Sequence, residues 1–113
     1  MNHQRLRCYE VLQGVAKRLP GIINKLPRGH SYLTDQLYRA LTSAILNLSE
    51  GNGRTSIKER ARFFDISLAS ISESHSAIDI MESFRLIPEQ TGFELKSSLR
   101  LAYAMIRKLK SAI

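Results

Sequence analysis

Residues 33–54 read LTDQLYRALTSAILNLSEGNGR, and this stretch decides the fold. Its apolar residues recur every three or four positions, a spacing that places them on one side of an α-helix. They are Leu33, Leu37, Ala40, Leu41, Ala44, Ile45 and Leu48. Gly51 and Gly53 come next, and glycine adopts the left-handed conformation that ends many helices at little steric cost. The stretch therefore predicts an amphipathic helix from about Tyr32 to Ser49, followed by a glycine stop and a short polar loop.

A longer helix is predicted directly after this loop. Ser56 and Glu59 have the spacing of a capping box, in which two side chains satisfy free backbone N–H groups at a helix start. The helix is expected to run from Ile57 to about Phe84, with a core seam that alternates steps of four and three. The seam consists of Ile57, Ala61, Phe64, Leu68, Ile71, His75 and Ile78. Beside it lie Phe63, Ser67, Ser70, Ser74, Ala77 and Met81, most of them small enough to let another helix approach closely, either within the subunit or across an interface.

Two further helices are predicted at the ends of the chain. A rough apolar stripe over residues 3–19 predicts the first helix, and Pro20 and Gly21 should end or kink it. The alternative is that Ile22, Ile23 and Leu26 continue the helix for another turn or two. The last helix is expected from about Glu89 to Ser111. Its core stripe consists of Leu95, Leu99, Ala102, Ile106, Leu109 and Ile113.

These four helices define the predicted fold class, which is all-α. The connections between them are short, and short connections favour antiparallel neighbours in an up-down-up-down four-helix bundle. We find no strand-like alternation and no internal repeat in the sequence. A length of 113 residues is enough for one domain with its own core, so residues 1–113 are predicted to form a single domain.

Charge is the strongest compositional hint about partners. The chain has 17 Lys and Arg residues against 10 Asp and Glu residues, a net charge of +7. Such an excess attracts polyanions, so RNA or DNA is a candidate partner, although charge also serves solubility. The longest apolar run, residues 101–106, is far shorter than the ~20 residues of a membrane span. The lone cysteine and the polar start of the chain favour a cytoplasmic location, with no membrane partner.

Five residues of the last helix form a candidate binding stripe. Lys96, Arg100, Tyr103, Arg107 and Lys110 step by four, three, four and three, so they lie on one side of the helix. Four cations with an aromatic ring among them are typical of a surface that follows phosphates and stacks a base. The alternative is an ordinary solvated face of a bundle helix.

A second basic cluster surrounds the start of the third predicted helix. Arg54, Lys58 and Arg62 lie there, where free N–H groups favour anions. The cluster is a second candidate for nucleic-acid binding, and the alternative is that its cations pair with Glu50 or Glu59. The loop of residues 51–56 is not a nucleotide-binding phosphate loop, because it lacks the Gly-Lys-Ser/Thr ending and follows a helix.

One set of residues carries a resemblance to a known family. They are Asp35-Gln36-Leu37, Arg39-Ala40, Ser43-x-x-x-Asn47-x-x-Glu50-Gly51, Arg54, Glu59, Phe63-Phe64 and Ala69-Ser70-x-x-Glu73. This pattern resembles the 23S rRNA-intervening-sequence proteins, a bacterial family of four-helix bundles. The resemblance implies a left-handed bundle that assembles into a ring, a homopentamer. A related branch resembles the accessory variability proteins of diversity-generating retroelements, which bind a reverse transcriptase and nucleic acid.

The matching motif is interpreted as structural. Its members Gln36, Arg39, Asn47, Glu50, Gly51 and Glu73 are expected at contacts between helices or subunits. Glu50 falls in a last helical turn, where the helix dipole disfavours a negative charge. Arg54, or Arg39 of another subunit, is expected to compensate it. The alternative is that Glu50 binds a partner directly.

The sequence carries no pattern typical of an enzyme. His75, Asp79 and Glu82 are spaced for one helix face, but the paired Glu-x-x-His motifs of dimetal bundles are missing. We therefore interpret His75 as a hydrogen-bonded core histidine, and expect neither a metal nor a cofactor. No nucleophile–base pattern surrounds Cys8 or the serines.

The function predicted from the sequence is that of a non-enzymatic, oligomeric protein that binds nucleic acid through basic helical faces. In a ring, weak contacts from each subunit add up. The alternative is a protein-interaction scaffold, or an accessory subunit of a larger enzyme such as a reverse transcriptase.

Overall fold

Four α-helices and their short connections account for the computed structural model, which describes residues 2–113. Helix α1 spans His3–Ile23, α2 spans Ser31–Gly53, α3 spans Ile57–Ser83 and α4 spans Glu89–Ser111. No strand occurs in this part of the chain. The all-α prediction with four helices is confirmed. None of these four helices contains an apolar stretch long enough to cross a membrane.

One apolar core joins all four helices into a bundle that measures 45 × 23 × 19 Å. The predicted stripes of α2 and α4 face it, with only Ile45 and Ile113 partly exposed. The largest of the fully buried side chains are Cys8, Leu12, Leu19, Leu37, Leu48, Phe64, Ile71, Ile78, Met81, Leu95, Leu99 and Ile106. Helix α2 packs mainly on α3, and α4 contacts both α3 and α1.

Gly51 does not stop α2, contrary to the expectation. The helix continues through it to Gly53, and Arg54 is the capping residue. Gly51 is buried because α2 lies very close to α3 at this point: a Cβ atom here would come within 2.6 Å of two ring carbons of Phe64. The glycine therefore permits close packing of two helices.

Pro20 does not end α1, as the alternative raised from the sequence allowed. The helix runs three residues further to Ile23, and the backbone N–H of Asn24 donates a hydrogen bond to the Pro20 carbonyl. Proline disrupts a helix by removing one N–H and by crowding the preceding turn. Ile22 and Ile23 pack against the core in the added turn, and their burial offsets part of that cost.

The start of α3 corrects one residue of the predicted seam. Ser56 caps the helix by accepting a hydrogen bond from the Glu59 N–H at 3.4 Å, which confirms one half of the predicted capping box. The Glu59 carboxylate pairs with Arg62 and does not reach back to Ser56. Ile57 is 64% exposed, because the first turn projects beyond the core. The buried part of the seam begins at Phe64.

The small residues of α3 face α2. Ser67 donates a hydrogen bond to the Ala44 carbonyl at 2.7 Å, and the hydroxyls of Ser70 and Ser43 lie 2.8 Å apart. These buried hydroxyls are satisfied while leaving little side-chain volume between the helices. The close approach expected from the serine row therefore occurs within the chain.

Candidate nucleic-acid interface

The first cation of the α4 stripe is held by carboxylates of α3. Lys96 Nζ lies 2.8 Å from Asp79 Oδ1 and 2.7 Å from Glu82 Oε1. The hydrogen bond to Asp79, followed by that to Glu82, raises the pKa of Lys96. The same Lys96 hydrogen bond is the main cause that lowers the pKa of Asp79. Lys96 thus links α4 to α3, and the two carboxylates offset the positive charge that a phosphate would need.

The last cation of the stripe is tied in the same way. Lys110 Nζ lies 2.6 Å from Asp65 Oδ1, again on α3. The spacing of the stripe alone predicts neither pairing. The signal was present, because Asp65, Asp79 and Glu82 recur on α3 at steps of 14 and 3, which returns them to nearly the same side of the helix.

The middle of the stripe has different surroundings. Arg100 is exposed, and its guanidinium lies 3.1 Å from His75 Nε2 and 3.4 Å from Ser97 Oγ. Neither partner is a carboxylate. Arg107 is also exposed and forms no ion pair within residues 2–113. Arg100 and Arg107 therefore supply the available positive charge of this face, with the half-buried Tyr103 between them.

His75 is not the core residue that the sequence predicted. Its side chain is 28% exposed, and its Nδ1 lies 3.4 Å from Asp79 Oδ2. The hydrogen-bonded part of the prediction is correct. The position differs because α4 covers the seam only partly here, leaving the imidazole between Asp79 and Arg100.

A groove of 280 Å³ opens between α3 and α4 beside these residues. Buried side chains of both helices form part of its lining, and polar groups form the rest. The lining consists of Ile71, Ser72, His75, Ser76, Leu99, Arg100 and Tyr103. Two residues of the predicted stripe, Arg100 and Tyr103, are thus brought together at one concave site.

The second basic cluster is organised around an aromatic ring. The guanidinium carbons of Arg54 and Arg62 lie 5.0 Å and 4.5 Å from the centroid of the Phe63 ring, within cation–π distance. Arg54 also pairs with Glu50 at 3.0 Å, and Arg62 with Glu59 at 3.6 Å. These pairs match the alternative raised from the sequence.

Lys58 is the remaining member of that cluster. It is exposed on the first turn of α3, and the described residues provide it with no ion-pair partner. Asp65, one turn beyond Arg62, pairs with Lys110. The cluster and the end of the α4 stripe therefore lie at the same end of the bundle.

The motif residues of α2 line a separate surface. Gln36 donates to Glu73 at 3.3 Å, which links α2 to α3, and Asn47 donates to the Ser43 carbonyl at 2.8 Å. Arg39 is exposed and has no carboxylate partner in the described chain. A groove of 580 Å³ on this surface is lined by Tyr32, Asp35, Gln36, Arg39, Ala40, Ser43 and Glu73.

The described part of the chain contains no cluster of metal-ligating side chains. Across residues 2–113, no group of three His, Cys, Asp or Glu residues is placed to hold a metal ion. Cys8 is fully buried, and burial raises the pKa of its thiol to about 12. It is therefore a poor nucleophile in the folded protein.

The fold and this surface define a small all-α, four-helix-bundle protein with a basic face on α4. The model of the 23S rRNA-intervening sequence proteins matches residues 4–108. The chain belongs to that family, as the motif of α2 and α3 indicated. A comparison with curated proteins found no match.

Proposed function

We propose that this chain is a non-enzymatic, oligomeric, cytoplasmic protein that binds nucleic acid through the exposed face of α4. The observation that carries the proposal is the pair Arg100 and Arg107, which are exposed and have no carboxylate partner within residues 2–113. Sequence-independent binding depends on such cations, because each one that contacts a phosphate releases condensed counterions. Lys58 and the Arg54–Phe63–Arg62 stack extend the positive surface at one end of the bundle.

The proposal includes an antiparallel, up-down-up-down order of helices. Contacts between α3 and α4 support it, since Asp65 pairs with Lys110 and Asp79 with Lys96, so that the numbers rise on one helix and fall on the other. Contacts between α1 and α4 follow the same order, with Cys8 near the Ala102 carbonyl and Arg18 paired with Glu94.

It also includes assembly into a ring, a homopentamer. The surface of α2 supports assembly, because Tyr32 is 61% exposed and Leu46 is 60% exposed, and each of them lines a groove with Arg39. Exposed apolar surface with a polar rim is typical of protein–protein interaction sites. A ring would repeat the α4 face, so that modest affinity per subunit gives strong binding overall.

The test is the salt dependence of binding to a labelled RNA and a labelled DNA. Fluorescence anisotropy gives the affinity at several salt concentrations, and the slope reports the number of phosphates neutralised. Arg107→Ala should weaken binding to all sequences alike and lower the slope by about 1. Arg18→Ala is the matched control: it removes the same charge from a cation that is already paired with Glu94. Unchanged binding by the Arg107 variant would contradict the role of the α4 face.

The second candidate function is a scaffold or accessory subunit for a larger protein such as a reverse transcriptase. A groove of 340 Å³ between α1 and α4 favours it, being lined by His3, Gln4, Arg7, Leu101, Met105 and Lys108. An exposed leucine flanked by cations fits an acidic amphipathic segment of a partner. A stoichiometric protein that remains bound after nuclease treatment would support this candidate, and retention by nucleic acid alone would support the first.

A further inference from the structure

We propose that the groove between α3 and α4 holds one nucleotide of a single-stranded nucleic acid, with its base on Tyr103 and its phosphate on Arg100. This inference rests on the proposed function and specifies its ligand. It predicts that the protein prefers single strands to duplexes. The proposal starts from a groove that is lined by Tyr103 and Arg100. The Arg100 guanidinium is hydrogen-bonded to His75 and has no carboxylate partner within the described residues.

The core lies directly beneath the groove. Ile71 is 2% exposed and Leu99 is fully buried, so the apolar surface that a base can reach comes mainly from Tyr103. Tyr103 packs against the same core and forms a wall beside them. Every base has a π-face that stacks on an aromatic ring, and this contact depends little on sequence.

The guanidinium of Arg100 is held in place by a chain of contacts. Lys96 pairs with Asp79 at 2.8 Å, Asp79 lies 3.4 Å from His75 Nδ1, and His75 Nε2 lies 3.1 Å from Arg100. Ser97 adds a contact at 3.4 Å. Asp79 forms its ion pair with Lys96 and none with Arg100. The Arg100 guanidinium is therefore oriented by His75 and Ser97, and no carboxylate neutralises its charge. A guanidinium that is positioned in advance loses less side-chain freedom when it binds a phosphate.

Size and polarity restrict the ligand further. The volume of 280 Å³ is just below the ~300 Å³ at which pockets for small molecules begin, so the groove can take no more than a single base. Ser72 and Ser76 bring hydroxyl groups to the rim, where they can bond to a base edge or a sugar. The bases of a duplex are stacked on one another, whereas the bases of a single strand are free to enter.

The test compares a labelled single strand with a duplex of the same length by fluorescence anisotropy. Tyr103→Leu should weaken single-strand binding about tenfold, since it removes the aromatic ring on which the base stacks. Duplex binding should stay unchanged, and Tyr103→Phe should restore the single-strand affinity because it keeps the ring. Tyr9→Leu is the matched control, a half-buried tyrosine on α1 that lies outside the groove.

A second measurement uses the unaltered protein and does not depend on how well a variant folds. NMR signals of the Tyr103 ring and the His75 imidazole should shift when the unlabelled single strand is added, and the Tyr9 ring signals should not. Absence of these shifts, or an equal loss of duplex binding in Tyr103→Leu, would overturn the groove proposal. If duplex binding then still weakens with salt, the proposed function stands without it. Failure of the unaltered protein to bind either nucleic acid would refute both.

Discussion

At residue 51 a hydrogen atom in place of a methyl group decides how closely α2 approaches α3. The ring carbons of Phe64 occupy the space that a Cβ would need, and Phe64 is itself fully buried. A buried ring has little freedom to move aside in a densely packed core. The identity of this residue is therefore fixed by packing.

We expect Gly51→Ala to lower the free energy of unfolding by about 1–3 kcal/mol, the usual cost of overpacking a core. Gly14→Ala is the control, because Gly14 lies exposed in α1 and a Cβ there would meet no atom within 4 Å. It should gain about 0.5–1 kcal/mol, since alanine has the better helix propensity. Urea denaturation measures both changes, and a Gly51 variant as stable as the natural protein would disprove the packing role.

Cys8 predicts a pH dependence of stability. Burial raises its pKa from 9.0 to about 12, so above pH 9.0 the unfolded chain loses the thiol proton while the folded chain keeps it. The folded state then binds more protons than the unfolded state, and its stability falls as the pH rises through this range. Denaturation curves between pH 8 and pH 10 (about the range in which free thiols titrate) should show a steeper decline for the natural protein than for Cys8→Ala. Parallel curves would contradict the assignment.

At the scale of elements, the contact between α2 and α3 depends on small residues with satisfied hydroxyls. Ser67 and Ser74 are fully buried, and Ser74 donates to the Ser70 carbonyl one turn earlier at 2.9 Å. A buried hydroxyl without a partner would be costly, whereas one bonded to a neighbouring carbonyl is tolerated. The serines thus keep the two helices close at little energetic cost.

Ser67→Leu should destabilise the bundle by about 1–3 kcal/mol, because the larger side chain forces α2 and α3 apart and removes the bond to Ala44. Ala69→Leu introduces the same side chain at an exposed position of α3 and should change stability by less than about 0.5 kcal/mol. Thermal unfolding followed by circular dichroism compares them. Similar melting temperatures for the two variants would show that the serine row is not needed for close packing.

At the scale of the whole molecule, the chain has a net charge of +7, but only some of its cations are free of carboxylate partners and so available to bind phosphate. Lys96 and Lys110, at the ends of the α4 stripe, form ion pairs with carboxylates of α3. The central residues Arg100 and Arg107 have no carboxylate partner within the described residues. The working surface that we propose is thus narrower than the stripe predicted from the sequence. Repetition of that surface around a ring would compensate for its small size.

Light scattering on the purified protein tests the assembly. We expect a mass about five times the 12.8 kDa of the chain. Leu46→Glu should lower that mass, because it places a charge on the exposed α2 surface proposed as the interface. Leu101→Glu, an equal change on the exposed side of α4, should leave it unaltered. A monomer in the natural protein would exclude the ring.

The sequence by itself determined the four helices, because the apolar periodicity of each one reflects the burial of one face. It also identified Arg100, Tyr103 and Arg107 as members of one helical face, since helical spacing alone places them there. Tertiary structure decided where α2 ends. Gly51 packs against Phe64 inside the helix, and α2 continues to Gly53. It also decided which cations were available, because the carboxylates that engage Lys96 and Lys110 come from another helix. Local spacing cannot show such pairs, since they depend on which faces the folded chain brings together.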